Sequence, residues 1–100
     1  MANGVKFDYK QTMAQAQAID NMAEDLTGRT KQKITTVKEN TKAAWTGNTG
    51  KAFIHIMEET EKDLEAKARY LREVAAYLRK AADTMEQAEN AAKSSAAKIS

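Results

Sequence analysis

From Met57 to Ala92 the chain places Met57, Thr60, Leu64, Lys67, Leu71, Val74, Leu78, Ala81, Met85, Ala88 and Ala92 alternately three and four residues apart, without a break. That spacing repeats every 3.5 residues, the period of a helix laying one stripe along a neighbouring helix. Only Lys67 is clearly out of character in the stripe. Ile56, Tyr70 and Tyr77 fall on one shoulder of it, and Ala68, Ala75 and Ala82 on the other. The apolar face is therefore wider than a two-stranded seam requires. Large groups on one side and alanines on the other suit a helix packed against more than one neighbour, one of them closely.

The first half carries a weaker version of the same signal. Asp8, with Gln11 three residues on, has the pattern of a capping box. From there apolar or small residues recur at Met13, Ala16, Ile19, Ala23, Leu26, Thr30, Ile34, Val37, Thr41 and Ala44. This predicts one amphipathic helix over about 8–45. Gly28 and the β-branched run Ile34-Thr35-Thr36-Val37 lower its intrinsic propensity, so it depends on packing. With no Pro and four Gly in 100 residues, the chain reads as a single all-α domain. Only Thr46 to Gly50 separate the two patterns, and a connection that short joins antiparallel neighbours. The expectation is a helix-turn-helix hairpin about 55 to 60 Å long. It has helices over about 8–45 and 50–92, a turn at about 45–50, and a small polar tail at 93–100 that frays. A lone hairpin leaves half of each apolar face wet, and a second hairpin, completing a four-helix bundle, is the simplest remedy. The expected dimer or hairpin core comprises Ile19, Leu26, Ile34, Val37, Met57, Leu64, Leu71, Val74, Leu78 and Met85.

The turn itself reads AAWTGNTGKAF, residues 43–53. Gly47 suits a reversal that needs positive φ, and Gly50 with Asn48-Thr49 offers a second tight turn and an N-cap for the next helix. Trp45 can staple the turn with its ring, or anchor a contact with another molecule. Trp45-Thr46-Gly47 between two amphipathic helices, with small residues Gly50 and Ala52 and then Phe53, resembles the WXG family, small helical-hairpin proteins of bacterial type VII secretion. The resemblance covers nearly the whole chain. It implies antiparallel hairpins that dimerise into a four-helix bundle and leave the cell as a folded dimer through a membrane-embedded ATPase. It also implies a carboxy-terminal signal, an aromatic followed four residues later by Asp or Glu. Here the chain departs from the pattern: Tyr77 has Ala81 at that spacing, Tyr70 has Val74, and the nearest analogue is Met85 with Glu89.

Other features point away from catalysis. There is no Cys, and His55 is the single His, without an H-x-x-x-H or H-E-x-x-H pattern, so neither a metal site nor an acid–base pair is expected. The acidic run Glu58-Glu59-Thr60-Glu61-Lys62-Asp63 reads as ordinary neighbours on a solvated helix face. No cofactor, catalytic residue or small-molecule substrate is expected. Sixteen Lys+Arg against fourteen Asp+Glu give +2, with the signs interspersed. The basic stretch Arg29, Lys31, Lys33, Lys38, Lys42 points in several directions without interleaved aromatics, a poor nucleic-acid footprint. No stretch approaches the ~18 apolar residues of a membrane span, and the amino-terminal residues lack the apolar core of a conventional signal peptide. The expected protein is non-enzymatic, cytoplasmic before export and then secreted. It acts as a homodimeric type VII substrate or, alternatively, as a targeting partner that forms a heterodimer with the helical domain of a larger effector. A basic nucleic-acid-associated helix fits less well. Lys67 either lies along an interface or meets an acidic group on a partner helix.

Overall fold

A computed structural model describes residues 7–99, and every regular element among them is helical. Helix α1 spans Tyr9–Asp25, a π-helical turn occupies Leu26–Thr30, α2 spans Lys31–Ala44 and α3 spans Asn48–Ile99. Asp8 caps α1 from extended backbone (φ −118°, ψ 103°), its carboxylate accepting from the Gln11 N–H at 2.9 Å. The capping expected of Asp8 is thus made to the backbone three residues on.

Helices α1 and α2 run antiparallel to α3. The closest contact is made by alanines: Ala16 and Ala23 on α1, and Ala68, Ala75 and Ala82 on α3, are 0–1% exposed, and no large side chain among the described residues is fully buried. Small side chains let helix axes approach toward the short end of the usual range, about 8 Å. Leu64, Leu71, Val74 and Leu78 lie beside this alanine line and are half-buried.

The N-terminal arm was expected to be one regular helix. Instead it is interrupted by the π turn, and the seam shows why. From Ala16 on, half-buried or buried residues fall at Ala16, Ile19, Asp20, Ala23, Leu26, Thr27 and Gly28, then at Lys31, Ile34, Thr35, Lys38 and Thr41. The step from Leu26 to Ile34 is eight residues where a heptad would give seven. A π turn absorbs one extra residue and so returns Ile34 to the stripe that Leu26 occupies. The same shift takes Thr30 and Val37 off the stripe expected for them; Thr30 is exposed and Val37 is 47% exposed.

Polar groups fix the register of the arms. The Tyr9 hydroxyl donates to Asp83 at 2.8 Å, and Arg79 reaches Asp20 at 2.6 Å and the Gln17 side-chain oxygen at 3.3 Å. Nearer the turn Lys31 pairs with Glu65 at 2.7 Å, and Lys38 with Glu61 at 2.9 Å, while the Thr35 hydroxyl also donates to Glu61. Every one of these pairs fits a single antiparallel alignment. With Asp83 level with Tyr9, the last sixteen residues of α3 project about 24 Å past the start of α1. This gives an object 80 × 19 × 17 Å, longer than the expected hairpin. The helix continues through the run Ala91–Lys98, past residue 92 where it was expected to end; the run holds no Gly or Pro and four Ala, which favours helix.

Candidate functional site

The turn is built by two glycines with different duties. Trp45 ends α2 in extended backbone (φ −134°, ψ 107°), its N–H bonded to the Thr41 carbonyl at 2.8 Å. Gly47 then takes φ +94°, the one positive φ among the described residues, where any side chain would be strained. The Gly47 carbonyl accepts from the Lys51 N–H at 3.0 Å and so opens α3. Asn48 and Thr49, expected as the N-cap, therefore lie inside the first turn of α3. Gly50 is buried against the Trp45 backbone: a Cβ there would lie 2.6 Å from the Trp45 carbonyl oxygen and 3.3 Å from its ring Cγ. No other residue fits without moving the tryptophan.

Phe53, one turn of α3 further on, meets the indole with ring centroids 5.9 Å apart and planes tilted by 39°. The Trp-x-Gly motif, Gly50 and Phe53 thus form one connected cluster at the hairpin tip. Trp45 keeps 45% of its surface exposed. Its ring and the Lys42, Lys51 and Ile54 side chains border an open groove of about 280 Å³.

The two long flanks of the hairpin differ in kind. On α3, at about 100° per residue, Glu61 continues the Ala68-Ala75-Ala82 line one heptad earlier, Glu65, Arg79 and Asp83 lie to one side of it, and Leu64, Leu71, Val74 and Leu78 to the other. The first flank is closed by the ion pairs already described. Glu61 is the best buried of these carboxylates; donation from Thr35 and then from Lys38 holds its pKa below the usual carboxylate range, and Lys31 does the same for Glu65. Glu61 in turn raises the pKa of Lys38. The Asp83 carboxylate, accepting from the Tyr9 hydroxyl, raises that phenol.

The second flank is apolar and open. In the register of the ion pairs, Ile19 stands level with Leu78, Leu26 with Leu71 and Ile34 with Leu64, and all six are half-buried, as is Met57. Around them Met22, Val37, Ile56, Tyr70, Tyr77 and Met85 are 43–72% exposed. Val37 and Met85, expected in the dimer or hairpin core, can therefore be covered only by something beyond this chain's own described residues. Lys67 is exposed and forms no ion pair among the described residues. Met85 and Glu89, the nearest analogue of an export signal, lie on the projecting end of α3, both exposed.

The remaining candidates are dispersed. His55 is 72% exposed on its side chain, with Glu59 3.9 Å away one turn on. No group of His and carboxylates among the described residues could hold a metal. The basic stretch is divided by the fold, Lys31 and Lys38 being engaged with α3 glutamates and Lys42 lying 3.7 Å from Glu39. No helix among the described residues is long and apolar enough to cross a membrane. What sequence reasoning did not mark was the Thr35-Lys38-Glu61 cluster, whose members look like ordinary surface residues until the π turn swings Lys31 and Lys38 toward α3.

The fold and its tip define a class: a small helical hairpin whose reversal is built on Trp-x-Gly, with one flank closed and one open. Residues 4–90 match the family model WXG100, described as proteins of 100 residues with WXG. The chain belongs to that family. No curated protein and no solved structure matches it.

Proposed function

We propose that this protein is a non-enzymatic substrate of a type VII secretion system, which pairs with a second copy of itself through its open flank and is exported as a folded four-helix bundle. The family supports a small secreted protein of this kind. The observation that carries the pairing is the asymmetry of the hairpin. One flank is sealed by Tyr9–Asp83, Asp20–Arg79, Lys31–Glu65 and Lys38–Glu61, while the other leaves Met22, Val37, Tyr70, Tyr77 and Met85 in water. Large apolar side chains left exposed on one flank of a chain of 100 residues support an interaction surface there, and a second hairpin adds the core that this one lacks.

In this reading the Trp45-Gly47-Gly50-Phe53 cluster sets the reversal, and Ile19, Leu26, Ile34, Leu64, Leu71, Val74 and Leu78 form the shared core. Export proceeds through the membrane ATPase of the secretion system, with Met85 and Glu89 as the candidate signal. Leu71→Asp tests it, because a charge in that core has no partner. The variant is expected to remain in the cell while the wild-type protein reaches the medium, and inactivating the secretion ATPase should retain both. Wild-type protein reaching the medium without the ATPase would overturn the proposal. Retention of the wild type unless a larger effector with a helical domain is co-expressed would replace it with the targeting-partner reading.

A further inference from the structure

Beside the alanine line that α3 packs within the hairpin runs a second ladder that the hairpin leaves largely uncovered, and that shares Thr60, Lys67, Val74 and Ala81 with the stripe read from the sequence. It consists of Ile56, Thr60, Asp63, Lys67, Tyr70, Val74, Tyr77 and Ala81, again alternately four and three residues apart. Thr60, Val74 and Ala81 are half-buried, and the others are exposed, Ile56, Tyr70 and Tyr77 by 57–72%. Its 3.5-residue spacing is the period of a stripe along which a second helix can lie. Its centre is charged: Asp63 and Lys67 sit one turn apart, and neither forms an ion pair among the described residues.

The ladder is complementary to itself read backwards. About a point level with residue 65, Asp63 of one chain faces Lys67 of a second copy and Lys67 faces Asp63. Going outward, Thr60 meets Tyr70 and Ile56 meets Val74. Sliding the copies so that Asp63 faces Val74 would set Lys67 against Tyr70 and leave both charges without partners. Sliding them the other way sets Asp63 against Thr60 and Lys67 against Ile56. A parallel pairing would place Lys67 against Lys67 and Asp63 against Asp63. Of these registers, only the first sets both charges against opposite charges.

We propose that two copies associate through antiparallel α3–α3 packing about a twofold axis level with residue 65, and that the reciprocal Asp63–Lys67 pairs select this register. Such an interface is isologous, each patch meeting its own copy, and misplaced charges exclude the alternatives. Residue 65 lies near the middle of the part of α3 that α1 and α2 accompany, so the two hairpins overlap over almost their whole paired length. The inference rests on the self-pairing described above, and it specifies which residues set that pairing.

The test is charge-reversal complementation by sedimentation equilibrium, with circular dichroism at each step. Lys67→Asp faces acid with acid, and Asp63→Lys faces base with base. Each single variant is expected to keep its helicity, since both positions are exposed, and to raise the dimer dissociation constant at least tenfold. An equimolar mixture of K67D and D63K restores both opposite-charge contacts and is expected to recover association as a heterodimer. In the same register, a mixture of Ile56→Cys and Val74→Cys chains forms an interchain disulfide on oxidation. Single reversals that dimerise as tightly as wild type, or a mixture that fails to recover, would overturn the register while leaving self-pairing intact. A wild-type chain that stays monomeric would overturn both.

Discussion

Substituting Gly50 by Ala probes the tip where the structure is least forgiving. The added Cβ would sit 2.6 Å from the Trp45 carbonyl oxygen and 3.2 Å from its carbonyl carbon, with the ring Cγ at 3.3 Å. Ordinary contact begins near 3.4 Å, so about 0.8 Å must be opened against backbone atoms that belong to the turn. Overpacking of this kind costs about 1–3 kcal/mol. Ala offsets this by at most about 1 kcal/mol through its better helix propensity, and by less in a first turn. The net expectation is a loss of about 1–2 kcal/mol, which for a domain of this size lowers Tm by roughly 5–15 °C. Gly28 is the internal control: its φ is not positive and a Cβ there meets nothing within 4 Å. Gly28→Ala should therefore stabilise by about 0.5–1 kcal/mol. Both are read by thermal circular dichroism at one fixed protein concentration, since association makes Tm depend on it. A Gly50→Ala protein as stable as wild type, or two variants that shift Tm in the same direction, would refute the packing described for the turn.

The remaining expectations concern the arms. Ala75→Leu forces apart helices that meet through fully buried alanines, and the urea midpoint should fall by the equivalent of about 1–3 kcal/mol. Because the pKa values of Glu61 and Glu65 are lowered in the folded chain, their contribution is present above the unfolded carboxylate pKa and is lost as pH falls through the lowered folded values. Tm measured against pH should therefore drop on the acid side, and Glu61→Gln should shrink that drop. Trp45→Ala removes the ring contact with Phe53 and the partial burial of an indole that is 45% exposed, and is expected to cost about 1–3 kcal/mol.

Much of this fold is legible in the sequence because both helices announce themselves by period. The unbroken ladder of α3, the short glycine-bearing connection and the Asp8 cap each act locally, and local rules suffice for them. The glycines at the tip were legible in kind. Gly47 is required by its φ, whereas the need for Gly50 comes from a close approach that spacing alone does not reveal. The π turn left a trace in the eight residues from Leu26 to Ile34, but thresholds for helix periodicity absorb a single-residue slip. That slip decides that Lys31 and Lys38 face α3 while Val37 turns outward. The ranking of Ala over Leu at the closest contact depends on interaxial distance, which no one-chain pattern encodes. For the same reason the half-buried Leu64-Leu71-Leu78 row looks like a finished core in the sequence and stands in the structure as one side of an open flank.

The central claim is that the open flank is covered by a second copy, and the oligomeric mass tests it most directly. Sedimentation equilibrium of the purified chain, with far-ultraviolet circular dichroism on the same sample, should return a highly helical species of twice 11.1 kDa. A helical species at the mass of one chain, unchanged up to high concentration, would contradict it.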